Sequence, residues 1–468
     1  MKSAISRHLH SSVAIALIGA LAAFAFVPQL AAQAQQAANV AAPFNAWRAA
    51  WVRHADQGSL AGDFQVIELK TYAPGGPQVV VPKPGDLFVY VNTGGQDACG
   101  LARPDVFNLN AHSRVSVFNA RTRELVGSQE MHDASGVLHA SAVSPDGRFA
   151  YVPSDNGSSP VLFKVDALTL QPLKMLDVGG AIHHMQVWQD RYLLIDVYSP
   201  QESGSGEKHA TFLLDPETDT VVGGIRAQGM GGYPYSAWAD PAHEFIYFLM
   251  EPASDAVTSP EFQAGAIVGA VPFWVAKVDP KDWSVVAEYP YPGLRSNWIQ
   301  FDANGSHMFV NGSADDSLSK IDIATGEMVW RAFTGAGPDG IELSADGTEV
   351  WIANRGANWK YHSGKTMTVV NAETGARIET VITEGSGINH IVLSPDGTEI
   401  WASAGDSGAL IVVDALTRKN LARLPMPGFG DPHGVVFVAY DAEGNGRVVA
   451  DQGDFHGGID PRNGAPLR

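Results

Sequence analysis

From Gly387 to Asp414 the chain reads GINHIVLSPDGTEIWASAGDSGALIVVD: an alternating apolar run, a Ser-Pro-Asp-Gly turn, a second alternating run, a polar loop and a third run ending in Asp. Val392, Leu393, Ile400 and Trp401 suit a pleated surface, and Pro395-Asp396-Gly397 supplies a fixed φ, an Asx-type acceptor and a positive-φ position for a tight reversal. This spacing predicts an antiparallel meander and disfavours a helix. The phrase returns as LHASAVSPDGRFAYVPS from Leu138, DGIELSADGTEVWIANR from Asp339, SNWIQFDANGSHMFVNG from Ser296 and YSAWADPAHEFIYFLME from Tyr235. A period of about 40–50 residues with several strands in each unit is the signature of a propeller blade.

Counting units gives blades over Leu138 to Val178, His183 to Arg226, Tyr235 to Pro290, Ser296 to Thr334, Asp339 to Thr383 and Ile388 to Pro427. PHGVVFVAYDAEGNGRVVAD begins a further meander that runs out of chain, and the strand-like runs Asp86 to Asn92, Ser113 to Asn119 and Arg123 to Ser128 supply what it lacks. The expectation is an all-β, seven-bladed propeller of four-stranded antiparallel blades. Strands from both termini close the ring, which removes exposed edges. Thr93 to Leu109 reads as a long Gly-rich loop, and Glu251 to Ala270 and Gly356 to Lys365 as insertions decorating one face.

Before the first strand, Phe64 to Leu69, the chain has a different character. Lys2 and Arg7 precede a charge-free apolar stretch, Val13 to Val27, and then Ala32-Gln33-Ala34, so residues 1–34 read as a cleaved export signal and the compartment as periplasmic or secreted. Residues 35–62 read as a tether and a short amphipathic helix (Pro43 to Asp56), and residues 63–468 as the propeller. A hydrophobic fraction of 45%, a charged fraction of 17%, 49 Gly and 28 Pro fit many short strands joined by turns. The net charge of −19 disfavours nucleic acid and anionic membranes as partners. No later segment is long and apolar enough to predict stable membrane insertion. Cys99 is the single cysteine, which excludes a disulfide framework and a covalent c-type haem motif.

In a propeller the innermost strand of each blade starts near one mouth of the channel, so residues four or five before the turn converge on the axis. Those positions are polar here: His139, His183-His184, Tyr235-Ser236, Asn297-Trp298, Asp339-Gly340 and Asn389-His390, with His433 in a similar place in the incomplete unit. Neutral imidazoles from several blades are a site for copper, zinc or iron, and Asp339 is a candidate oxygen ligand or orienting group. Tyr235 and Asn297 are candidate cofactor contacts. The bland alternative is that each imidazole ends a strand and bonds water or a carbonyl in a wet channel. His132 and His456 fall in loops, and Trp351 and Trp401 recur just after the turn as interblade core.

SPDGRFAYV, SADGTEVWIANR and SPDGTEIWAS, each followed by a strand ending in VDA, VNAETG or IDIATG, resemble the YVTN-type bacterial propellers. LHASAVSPDGRFAYV and GINHIVLSPDGTEIWAS are similar to the d1-haem propellers of nitrite reductase and its haem-maturation relatives, a resemblance spanning about Leu138 to Val438. It implies that His139 and His390 serve at a d1-type haem. By architecture the chain also resembles the nitrous oxide reductase propeller, which implies a copper site at His183, His184 and His433. The chain has neither a cytochrome c module nor a paired-cysteine copper domain, so a redox role implies a separate periplasmic electron-transfer protein. The leading reading is a metal or haem-like cofactor held by channel histidines, in small-molecule redox chemistry or cofactor handling. The competing readings are a propeller that binds a ligand or protein without chemistry, and a metal-free lactonase or lyase using the imidazoles as acid and base.

Overall fold

The computed structural model describes residues 77–94, 96–97, 112–135, 137–138, 140–155, 160–176, 181–198, 210–226, 230, 233–251, 272–357, 362–441 and 443–453. The expected signal, the helix from Pro43, the strand at Phe64 to Leu69, and Cys99, His139 and His456 lie outside the described residues.

The turn phrase explains why the blades recur. Ser394 Oγ donates to Asp396 Oδ1 and accepts from the Glu399 amide, Asp396 Oδ1 also accepts from Thr398, and Gly397 takes φ 71°. The same contacts form at Ser344, Asp346 and Glu349, and at Ser144, Asp146 and Phe149. Each phrase therefore reverses the chain between the first and second strands of a blade.

Six blades are four-stranded antiparallel meanders in sequence order. Blade 1 runs from Ala142–Val143 to Pro172–Leu176, blade 2 from Ala181–Trp188 to Thr220–Arg226, and blade 3 from Tyr233–Ala239 to Ser284–Leu294. Blade 4 runs from Ile299–Phe301 to Met328–Phe333, blade 5 from Pro338–Leu343 to Arg377–Ile382, and blade 6 from Ile388–Leu393 to Asn420–Pro425. Blade 7 is composite: Asp431–Tyr440 is its inner strand, with Leu87–Gly94, His112–Asn119 and Leu125–Ser135 in order outside it. The seven-bladed ring with a shared last blade is as the sequence predicts.

Three expectations are refined. Thr93 and Gly94 belong to a strand rather than a loop, because Thr93 pairs with Arg114 on one side and Pro432 on the other, and Gln96–Asp97 pairs in parallel with Val137–Leu138. The insertion Gly356 to Lys365 extends a hairpin at its described ends, with Gly356 paired to Ser363 and Ala357 to His362. Blade 7 also carries a fifth strand, Gly446–Ala450, beside Asp431–Tyr440.

The core lies between blades. Trp351 and Trp401 are fully buried there, Trp401 edge-on to Phe437 of blade 7 at 5.7 Å. The seam between blades 7 and 1 is held by two buried tyrosines: Tyr90 Oη donates to Ala167 O (2.7 Å), Tyr440 Oη to Gly147 O (2.7 Å), and the hydroxyls stand 3.0 Å apart. Tyr440→Phe leaves the Gly147 carbonyl unsatisfied and is expected to cost about 1–2 kcal/mol in urea unfolding. Leu416→Ser, at a side chain 73% exposed, is expected to stay within about 0.5 kcal/mol. Wild-type stability in Tyr440→Phe would show that the tyrosine pair does not hold the seam.

Candidate metal centre

A repeated bulge builds the site. On blade 2, Ile182 pairs with Val197 and Met185 with Ile195, so His183 and His184 together face one residue, Asp196. Side chains that would point to opposite faces of a regular strand are thereby re-aimed, the usual effect of a bulge. Blade 6 repeats it, with Asn389 and His390 facing Ser403, and blade 5 with Asp339 and Gly340 facing Ala353. Blade 3 has a single extra residue, Tyr235.

A second-strand side chain caps the inner-strand amides at this level. Asn311 Oδ1 accepts the amides of Asn297 (2.7 Å) and Trp298 (3.0 Å) on blade 4, and Ser403 Oγ accepts the His390 amide (3.0 Å). Asp196 Oδ1 does the same for the His184 amide (2.6 Å). Its second oxygen faces the imidazoles: Oδ2 is 3.4 Å from His183 Nδ1 and 3.8 Å from His184 Nδ1. The ligand atoms of these three buried residues lie within 4.8 Å of one another.

The imidazoles of three blades converge on this point. His183 and His184 are 4.2 Å apart by ring centroids, His184 stacks on His390 at 5.5 Å, and His390 meets His433 edge-on at 5.3 Å. All four are at most 3% exposed. Tyr235 stands edge-on to His183 (4.5 Å), Trp298 to His390 (4.8 Å), and Trp238 lies 5.0 Å from His184 and 4.3 Å from Trp298. His433 Nε2 is 3.3 Å from Asn389 Nδ2, and its Nδ1 is 3.4 Å from Asp431 Oδ1. That arrangement makes His433 a brace for the cluster.

The other predicted positions do different work. The Asp339 carboxylate faces the Arg355 guanidinium (3.5 Å), and Asn297 Oδ1 lies at the edge of hydrogen-bond reach of Ser313 Oγ (3.5 Å). His132 lies on the strand Leu125–Ser135 rather than in a loop, because that strand runs longer than its alternation indicates.

Burial governs the electrostatics. It lowers His184 to about 3, and together with repulsion from His184 it lowers His183 to about 4. His390 is pushed well below the ordinary value by burial, then by His433 and His184. Burial pushes Asp196 up, against the opposing effect of His183. Neutral imidazole is the metal-binding form, and these rings keep it across the neutral and mildly acidic range.

Sequence reasoning missed Asp196, Trp238 and Gln452. The first had a signal: a single acid inside the apolar run YLLIDVY. Gln452 comes just after the fifth strand of blade 7, where the repeat gives no guide.

A further buried acid, Glu251, ends the second strand of blade 3 opposite Tyr233. Burial pushes it up to about 7, with Arg295 opposing. A folded-state value above the unfolded one of about 4.5 means that stability falls as pH rises from about 4.5 to 7 and stays lower above. Glu251→Gln is therefore expected to raise stability at pH 8 by about 2–3 kcal/mol and to change little at pH 4. An equal effect at both pH values would contradict this account of the buried charge.

No family model and no curated protein matches the chain. Among solved structures it is similar to dihydro-haem d1 dehydrogenase NirN in complex with DHE, at 18% identity and TM-score 0.52 over 81% of each chain. It is similar to the periplasmic gluconolactonase PpgL of Pseudomonas aeruginosa, at 16% identity and TM-score 0.52 over 75% of this chain and 99% of that one. It is also similar to Kuenenia stuttgartiensis hydrazine synthase, at 16% identity and TM-score 0.50 over 66% of this chain and 90% of that one. At these identities the likeness is one of fold, so the chain is a seven-bladed propeller whose structural neighbours include a d1-haem protein, a lactonase and a hydrazine-forming enzyme.

Proposed function

We propose that this propeller holds one first-row transition-metal ion on His183, His184 and Asp196, with His390 as a further donor, for redox chemistry on a small molecule. The observation that carries the reading is the spacing of the donors. At 3.4 and 3.8 Å, the two nitrogen-to-carboxylate separations are long for hydrogen bonds, which fall at about 2.7–3.2 Å. The 3.4 Å separation falls within the edges of a tetrahedron of ligands about 2.0–2.2 Å from an ion, which are roughly 3.3–3.6 Å long, and the 3.8 Å separation lies just beyond them. Two imidazoles and one carboxylate are the donor set that suits iron(II), and a third imidazole suits copper equally.

A d1-type haem does not fit between these rings. A macrocycle layered between two of them needs about 7 Å, two van der Waals contacts, whereas the centroids are 4.2 to 5.5 Å apart. The d1-haem neighbour therefore supports the propeller as a frame for redox chemistry and not a haem at this point. His139, five residues before Ser144 of its own turn as His183 is five before Trp188, is a candidate fifth imidazole, and Tyr235 is a wall of the site. Asn297 and Asp339, turned toward Ser313 and Arg355, stand outside this donor set.

A bound metal supplies electron transfer or Lewis acidity, and the chain contributes neutral donors, one capping carboxylate and exclusion of water. Turnover then requires an electron partner, which in the exported protein is a periplasmic electron-transfer protein. The gluconolactonase neighbour is a periplasmic protein, in keeping with the signal-like residues 1–34. Among the described residues no helix is long and apolar enough to cross a membrane.

The full chain, stripped with chelator and titrated with iron(II) without oxygen or with copper(II), is expected to take up one equivalent and to show no haem band. Asp196→Asn keeps the oxygen that caps His184, as Asn311 does on blade 4, and is expected to weaken uptake by more than about 100-fold, beyond the usual 10–100-fold of an outer-shell change. Wild-type protein that binds neither ion would sink the metal reading and leave a binding propeller or a metal-free hydrolase.

A further inference from the structure

The fifth strand of blade 7 lies outside the four-stranded repeat, and residues 451–453 just beyond it pack against the inner strand of blade 2. Val448 donates its amide to Pro145 O (3.0 Å), Asp451 Oδ2 accepts the amide of Val187 (2.7 Å) and Asp451 Oδ1 that of Gly453 (2.8 Å). The fit is close. A Cβ on Gly453 would stand 2.4 Å from the Gln186 side chain, and one on Gly434, which has φ +74°, 2.5 Å from Gln452 Oε1.

Gln452 is buried between the inner strands of blades 2 and 6. Its Nε2 donates to Met185 O (3.1 Å), the carbonyl just after His184, and its Oε1 is 2.8 Å from His390 Nδ1. A backbone carbonyl only accepts, so the amide nitrogen must face Met185 and the amide oxygen must face His390. His390 therefore carries its proton on Nδ1 and its lone pair on Nε2, the tautomer that ligates a metal. A hydrogen bond to the far nitrogen is also what fixes the orientation of metal-binding histidines.

We infer that Gln452 is the positioning residue for His390, and that metal binding is thereby coupled to the seating of residues 448–453 against the histidine strands. The inference rests on the metal reading above. Coupling of this kind is reciprocal: whatever factor the seated segment adds to metal affinity, the metal adds to the seating. One side chain accordingly links an element outside the repeat to two of the three blades that bear the histidines.

The test uses the full chain and copper(II) alone. Calorimetric titration is expected to show Gln452→Leu binding copper 10–100-fold more weakly than wild type, and Gln452→Glu, which keeps an acceptor for Nδ1–H, within a few-fold of wild type. In the wild type, copper is expected to slow hydrogen exchange at residues 448–453 at least about tenfold, a measurement that needs no variant. If the wild type binds one copper but Gln452→Leu binds it as tightly, or exchange at 448–453 is unchanged by copper, the coupling is wrong while the metal reading stands. If Gln452→Glu loses as much as Gln452→Leu, the residue acts by packing and not by orienting His390, which also overturns the inference. Wild-type protein that binds no copper overturns the coupling and the copper form of the metal reading together, and the iron(II) titration then decides the rest.

Discussion

Two inner-strand residues facing one second-strand residue is the constraint on which the site depends. An oxygen from the second strand accepts the inner-strand amide at this level. Ser403 does so for His390, Asp196 for His184, and Asn311 for both Asn297 and Trp298 just before the inner strand of blade 4. Only a carboxylate has a second oxygen of full acceptor strength left over, and on blade 2 that oxygen faces two imidazoles. A backbone requirement thus creates a donor set: the same Asp that holds the bulge open completes a His-His-Asp triplet.

The ring turns a local device into a centre. Each bulge on its own delivers one or two polar side chains, and sevenfold repetition aims them at a shared axis. Closure between Asp431–Tyr440 and Leu87–Gly94 brings His433 against His390, and the fifth strand carries Gln452 to the same point. Enclosure then determines the chemistry. Rings cut off from water stay neutral, and the tryptophans packed on them, Trp238 and Trp298, keep the surroundings apolar. A charge introduced there without a counterion is costly, which favours an ion held together with the Asp196 carboxylate.

The fold was legible because the turn phrase obeys local rules: Ser, Asp and Gly at fixed offsets dictate a reversal wherever they stand. Inner-strand positions could be counted back from that turn, which identified His183, His184, Tyr235 and His390. Counting back does not show where a side chain points. Asp339 and Asn297 occupy equivalent places, yet the first faces Arg355 and the second Ser313. Asp196 was hidden because its partnership crosses strands, and strand pairing is read from the register of a bulge rather than from spacing along one strand. Gln452 was hidden because it belongs to no repeat. Thr93 and Gly94 read as loop because their composition is that of a turn, whereas two flanking strands hold them in the sheet.

The central claim is that His183, His184 and Asp196 are ligands of one ion. X-ray absorption fine structure on the metal-loaded full chain reads the ligand shell directly. The account predicts nitrogen and oxygen neighbours at about 2.0–2.2 Å, with outer-shell scattering from at least two imidazoles that drops by one in His184→Phe. A shell of oxygen neighbours without imidazole scattering, or a spectrum unchanged in His184→Phe, would contradict it.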